Sequence, residues 1–485
     1  MPTDIFTPVY KEIPFERPDI VYRKLRAKNS FLLESVKGSD KTAGYSFIGI
    51  QPYLIFKVKD GVVEIELDDK KTMSSRKPLP RMRELLQAYN QLPATGLPPF
   101  QGGAVGMLTY DFVHYIEKLP KGASDDLGLP EAHFFMIDRL VAFDHVSSRS
   151  WIIVCPCARK TSLGYSEIDA DKKVCIKEAE EELEKIARQL EENGPSFDEE
   201  RVASFQSGAS AIEIRQDTGK ERYLEMVKKA KEYIAAGDIF QANLSLRLSA
   251  EIGDRDPWRL YSVLREINPS PFSSYMDFGD YQIVSSSPER LARVRDGVVD
   301  TRPIAGTRPR GGNRNEDEMM RSELLLNEKE RAEHIMLIDL ERNDIGKVSD
   351  YGTVRVDELM VTEDYSDVMH IVSNVRGKLA KGKDCFDVIR ATFPGGTITG
   401  VPKVRCMEII DEIEPVRRGP YTGSIGYVGF SGNMDLNIII RTFLIKDGRV
   451  YIQAGAGIVA DSDPEREYSE SLKKAEALMK TLERI

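Results

Sequence analysis

Four glutamates at matched spacing are the side chains in this sequence best suited to shared chemistry. Glu330 and Glu333 lie three apart in NEKERAEHIMLIDLERNDIGK, and Glu467 and Glu470 repeat the spacing in EREYSES. Residues three apart share a helical face. Two carboxylate pairs on two helices make an all-oxygen donor set for a hard cation. Mg²⁺ suits such a set, because it takes one or two protein carboxylates and fills its shell with water and anionic substrate oxygens. Glutamates also decorate solvated helices, so the company these four keep decides the matter.

The positioning elements follow from local pattern. Nothing from Asn313 to Ile345 is proline or glycine, which permits one long helix there. Asp463-Pro464 opens a second helix as N-cap and first-turn proline. Its apolar stripe is Tyr468, Leu472, Ala475, Leu478 and Leu482, at helical period. Glu467, Glu470 and Lys474 then share the face beside that stripe.

Three turns punctuated by glycine and threonine are Pro303–Thr307, Phe393–Gly400 and Ala454–Gly457. Glycine lets backbone N–H groups approach an anion, and a threonine hydroxyl adds a donor. None fits a phosphate-loop or dinucleotide fingerprint. Arg441, inside IIIRTF, is expected to meet a carboxylate from protein or ligand, since an unpaired buried guanidinium is costly. His370 in VMHIVS is one of five histidines, and in an apolar strand it reads as a core residue or a proton carrier. Tyr421 and Lys474 add donors. Together these residues describe a magnesium-dependent site for a small polycarboxylate, built from the second half of the chain.

The formal charge of -10, with no basic block to offset it, argues against general nucleic-acid affinity. No apolar run reaches membrane-spanning length, and the N-terminus lacks a signal-peptide pattern. The five cysteines are few and scattered, so the expectation is a reduced, cytoplasmic protein.

FLLES, YSFIGI, YLIFKV and VVEIEL read as strands separated by turn signals, and Gln101–Gly106 signals close backbone approach. Lys172–Glu192 reads as a charged helix. Thr218-x-x-Glu221 reads as a capping box. Strands fall in antiparallel-looking runs broken by helices, which makes the fold class α+β. The expected organisation is a sheet-rich region over 1–195, a linker over 196–211 and a catalytic region over 212–485.

The blocks SPER, RPIAGTRPRG, NEKERAEHIMLIDLERNDIG, HIVS, FPGGTITG, RRGPYTGSIGY, IRT, GAGIVADS and EYSES together resemble the chorismate-utilising enzyme family over nearly the whole chain. The resemblance implies a sandwich of antiparallel sheets flanked by helices. It also implies Glu333 and Glu470 as Mg²⁺ ligands, supported by Glu330 and Glu467. Arg441, Tyr421 and the Gly457 backbone would hold the enolpyruvyl carboxylate, while Gly306, Thr307 and Thr397 would lie about the ring carboxylate. His370 and Glu289 would handle protons, with Lys474 near the metal. Gln241 stands where water-adding members carry lysine, which resembles the ammonia-using branch and implies a separate glutaminase subunit as partner. Within that branch FPGGTITG, YTGSIG and FQANLS resemble large subunits that make aminodeoxychorismate; the alternative is the anthranilate-forming type, and a third is a non-catalytic tryptophan-binding regulator. Ala305 replaces the nucleophilic lysine of many aminodeoxychorismate-forming relatives. Leu33, Glu34 and Ser35, with Asn268, Pro269, Pro271 and Phe272, resemble the family's tryptophan pocket.

Overall fold

The computed structural model describes residues 5–38, 44–67, 70–162, 172–192, 212–364 and 368–485. The linker expected over 196–211 lies outside the described residues. Among those described, two sheets of twelve strands each carry the chain. The first runs from Val9–Ile13 through Arg149–Val154, Arg139–Asp144, Tyr45–Gly49 and Ser30–Glu34. It then continues into Phe272–Asp277, Tyr281–Ser287, Thr442–Lys446, Arg449–Ile458, Gln241–Glu251 and Ile214–Gln216. The second runs from Ile304–Pro309 through Val368–Lys378, Val298–Arg302, Arg290–Arg295, Met434–Asn437 and Ser424–Gly429. Gly103–Leu108, Ala132–Ile137, Leu54–Lys59, Val62–Leu67 and Lys70–Ser74 complete it.

Both sheets are antiparallel along these ladders, and each contains strands from both halves of the chain. Ser30–Glu34 joins Phe272–Asp277 with Glu34 opposite Ser273. Gly103–Leu108 joins Ser424–Gly429 with Gly106 opposite Gly426. A Cβ at Gly106 would stand 2.1 Å from the His133 carbonyl oxygen, so the close backbone approach read from the glycines is present. Phe31, Phe47, Phe100, Phe135 and Tyr427 pack one buried cluster. Burying such rings contributes about 1.5–3 kcal/mol each relative to exposure.

Helices cover the outer faces, which completes the α+β sandwich. Pro464–Leu482 starts as its sequence predicts: Asp463 accepts from the Arg466 N–H at 3.0 Å, and Tyr468, Ala475, Leu478 and Leu482 are buried. Two local expectations are corrected. The stretch from Asn313 is not one helix but two, Arg314–Leu326 and Glu328–Gly346. Asn327 ends the first and caps the second, its side-chain oxygen accepting from the Glu330 N–H at 3.0 Å; an asparagine cap breaks a helix without proline or glycine. The Thr218 capping box does not form. The helix there begins at Lys220 behind Gly219, because Thr218 is drawn to the neighbouring strand, its N–H donating to the Arg247 carbonyl at 3.1 Å.

The expectation of five reduced cysteines is also corrected. Cys157 and Cys175 form a disulfide, with Cα atoms 5.4 Å apart, while Cys155, Cys385 and Cys406 are free and buried. A separation suited to a disulfide is set by packing, which cysteine spacing does not reveal. Among the described residues no helix is long and apolar enough to cross a membrane.

Candidate active site

Strand register places the histidine. Ile304–Pro309 pairs with Val368–Lys378, and a bulge between Ala305 and Thr307 sets Thr307 opposite His370. His370 Nδ1 then lies 2.9 Å from Thr307 Oγ1 and 3.2 Å from the Gly306 carbonyl oxygen. A carbonyl only accepts, so the geometry assigns the ring proton to Nδ1 and makes Nε2 the ring's basic nitrogen. Burial, reinforced by the Arg441 charge, lowers the His370 pKa to about 4. The imidazole is therefore neutral at pH 7.

Glu289 is buried at the start of Arg290–Arg295, and its carbonyl accepts from the Ile438 N–H at 3.0 Å. Burial raises its pKa to about 7, against the opposing pull of Thr397, the Ile304 amide, Arg441 and Lys474. Glu289 Oε1 and Thr397 Oγ1 are both buried without a well-formed hydrogen bond, although the Thr397 hydroxyl lies close enough to pull on the Glu289 carboxyl. Native structures rarely tolerate such orphans unless a ligand or water completes them. Thr397 sits on the short turn Gly396–Ile398. Arg418, buried and bonded to Glu414 at 2.8 Å, donates to the Ile398 carbonyl at 3.1 Å and so fastens that turn.

Glu330 occupies the first turn of Glu328–Gly346, against Gly306. A Cβ at Gly306 would meet Glu330 Oε2 at 2.9 Å, and Gly306 has φ +61°. Glu330 Oε1 accepts from Arg308 at 2.7 Å, whereas Oε2 is buried without a partner. Glu333 is half-buried on the same helix. Glu467 is half-buried and Glu470 exposed on Pro464–Leu482. Lys474 spans Glu470 at 2.8 Å and the Gly455 carbonyl at 3.1 Å. Among the described residues no group of three or more His, Cys, Asp or Glu gathers to hold a metal, so the two pairs do not form one cluster. Mg²⁺ needs only one or two protein carboxylates, and the orphan Glu330 Oε2 is a fitting donor, so the residues present fit that ion.

Gln241 begins its strand opposite Val401, and its Nε2 lies 2.4 Å from where a Gly457 Cβ would be. Tyr421 is buried, and its phenol pKa is pushed up by burial. Arg441 is half-buried in a left-handed backbone conformation, φ +51°, and its charge acts on both His370 and Glu289.

A separate cavity of about 100 Å³ lies between the sheets, lined by Leu33, Glu34, Ser35, Pro271 and Phe272 among others. Ser35 Oγ donates to the Pro271 carbonyl at 3.0 Å, and Glu34 holds Arg265 bidentately at 2.8 Å. Asn268 turns instead to Ser286 Oγ at 3.0 Å, and Pro269 is not part of this lining.

Sequence reasoning missed Glu341. It is buried beside the Gly396 turn, its Oε1 3.7 Å from a Gly396 Cβ position. Burial raises its pKa to about 8, with Asp344 and Glu289 adding repulsion against the pull of Lys403 and Thr301. The signal was present in periodicity, since Glu330, Glu333, Leu337, Glu341 and Asp344 continue one stripe at steps of three and four.

The family model for a chorismate binding enzyme matches residues 22–480. The chain belongs to the chorismate-binding enzyme family. It is 43% identical to anthranilate synthase component 1 of Acetivibrio thermocellus, covering 98% of this chain and 95% of that protein. It is 42% identical to aminodeoxychorismate synthase component 1 of Bacillus subtilis (strain 168), covering 98% and 97%. The crystal structure of anthranilate synthase component I from Streptococcus pneumoniae TIGR4 superposes with a TM-score of 0.77 at 35% identity, covering 96% of this chain and 98% of that one. The chain is therefore a chorismate-utilising enzyme of the anthranilate or aminodeoxychorismate synthase type, and family membership extends over the sandwich and the residues described above.

Proposed function

We propose that this enzyme aminates chorismate with ammonia, in a Mg²⁺-dependent reaction, to 4-amino-4-deoxychorismate for 4-aminobenzoate and folate synthesis. Ammonia enters and water leaves, so the nucleophile sheds a proton while the departing hydroxyl gains one. The site then needs one base and one acid. The observation that carries the reading is that the Arg441 charge acts both on a neutral His370, its Nδ1 proton held toward the Gly306 carbonyl, and on a buried Glu289 whose pKa is raised to about 7. His370 takes a proton through Nε2, and Glu289 supplies one to the hydroxyl.

Arg441, Tyr421 and the Gly457 backbone hold the enolpyruvyl carboxylate. Gly306, Thr307 and Thr397 line the ring carboxylate end. Gln241 lacks a basic amine, so it does not activate water, which supports ammonia as nucleophile. Ala305 has no amine for a covalent adduct. Glu333 and Glu470, with Glu330 and Glu467, are the proposed Mg²⁺ ligands, although their two helices do not gather the four into one cluster in this structure, and Lys474 stands beside Glu470. When bound, Mg²⁺ supplies positive charge for the ring carboxylate and orients the leaving hydroxyl. The relatives' names, component 1, support a separate glutaminase subunit as the ammonia source. The cavity at Ser35 and Pro271 is proposed to take tryptophan, and the proposed location is the cytoplasm.

The second reading is anthranilate synthase component I, favoured by that name on a relative of nearly equal identity. Product identification with chorismate, ammonium and Mg²⁺ decides between them. A non-fluorescent product that yields 4-aminobenzoate only after addition of a separate lyase supports the proposal. Direct appearance of anthranilate fluorescence overturns it, and no chorismate consumption under any ammonia supply favours a tryptophan-binding regulator.

A further inference from the structure

The pair Glu330 and Arg308 has a geometry that bears on cation binding. Arg308 lies at the end of Ile304–Pro309 and reaches three elements at once. It donates to Glu330 Oε1 at 2.7 Å on one helix and to Glu323 Oε1 at 3.0 Å on the other. A third bond goes to the Thr307 carbonyl of its own strand at 3.0 Å. The Arg308 and Glu330 side chains are 17% and 22% exposed, so water screens their attraction only partly. The guanidinium engages one carboxylate oxygen of Glu330 and leaves Oε2 buried and unbonded beside Gly306. A carboxylate held on one oxygen, with the other facing inward, is suited to exchange partners.

We propose that Arg308 is a resident counter-cation that competes with a divalent metal ion for Glu330 and thereby weakens metal binding by the free enzyme. The inference rests on the magnesium reading above. Arg308 neutralises the carboxylate so that Glu330 and Glu333 do not repel across one helical turn. It also sets a threshold, because a divalent ion must displace or share this ion pair. An added anionic substrate oxygen lowers that threshold by contributing a ligand of its own. Glu323, more exposed at 57%, is the alternative partner to which the guanidinium can withdraw.

Calorimetric titration of the full-length protein with MgCl₂, without and with chorismate and with no ammonia, tests this. R308Q is expected to bind Mg²⁺ about fivefold to tenfold more tightly than wild type in the absence of chorismate. The added substitution E330Q is expected to cancel that gain. E323Q, at an exposed position where folding is not at risk, is expected to shift the affinity in the opposite direction, because it leaves Arg308 wholly on Glu330. Equal or weaker Mg²⁺ binding in R308Q, or unchanged or tighter binding in E323Q, overturns the inference. The magnesium reading fails separately, and takes this inference with it, if wild type binds no Mg²⁺ even with chorismate present.

Discussion

His370 and Thr307 stand opposite each other across two strands, Nδ1 to Oγ1 at 2.9 Å, because a bulge at Ala305 brings the threonine into register. The ring orientation is therefore a property of the ladder. H370A is expected to lower kcat for chorismate consumption by about 10²–10⁴-fold with little change in KM. T307V, which keeps shape but removes the hydroxyl, is expected to cost about tenfold by loosening the ring. Steady-state chorismate depletion checks both, and H370A retaining near wild-type kcat would remove His370 from the proton transfer.

Glu341 makes a pH prediction whose sign is fixed. Its folded pKa of about 8 is raised from the ordinary 4.5. Between those values the native state binds the extra proton, so its contribution to stability falls as pH rises through that window. E341Q does not titrate. The melting temperature of E341Q relative to wild type is therefore expected to climb from pH 5 to pH 8, and a flat difference would contradict the buried-acid assignment.

His334 and His370 slope the other way. Both pKa values are lowered to about 4 by burial, below the ordinary 6.5. The unfolded chain thus binds more protons from pH 6.5 downward, and these two groups withdraw stability as pH falls toward 4. Urea unfolding of H334Q, whose amide reaches the Nε2 position facing Ser373 Oγ, should show less loss of stability between pH 6.5 and 4.5 than wild type.

Lys403 ties both ends of the loop that carries Thr397. Its ammonium donates to Asp344, to the Thr392 carbonyl at 3.1 Å and to the Pro394 carbonyl at 3.0 Å. K403M leaves the buried Asp344 with only the exposed Lys347 ammonium, 2.8 Å away, and the expected cost is about 1–3 kcal/mol, read by chemical denaturation. A change below 1 kcal/mol would mean the pair behaves as an exposed salt bridge.

The inter-sheet cavity and the His370 site are built from different residues, and Glu289 and Arg290 show why: Arg290 lines the cavity while its neighbour Glu289 meets the Thr397 turn. E333A is expected to abolish chorismate consumption while calorimetric tryptophan binding persists. Loss of both together would mean the two sites are one.

Local pattern alone determined the Asp463 cap, the stripe from Tyr468 to Leu482, four strands of the first hundred residues (Ser30–Glu34, Tyr45–Gly49, Leu54–Lys59 and Val62–Leu67) and the shared face of Glu330 and Glu333. Each depends on residues a few positions apart, and short-range sterics and hydrogen bonding decide them. The blocks from SPER to EYSES likewise made the family legible. Tertiary structure decided the rest. The Asn327 cap on the Glu330 amide is as local as that of Asp463 and was open to reading, whereas Thr218 left its helix for the carbonyl and amide of the distant Arg247. Cys157 met Cys175, and Glu341 became a buried acid only once the Gly396 turn and Lys403 closed over it. Pairing, burial and the shift of a pKa depend on which distant segments exclude water from a group, and spacing along one chain does not carry that information.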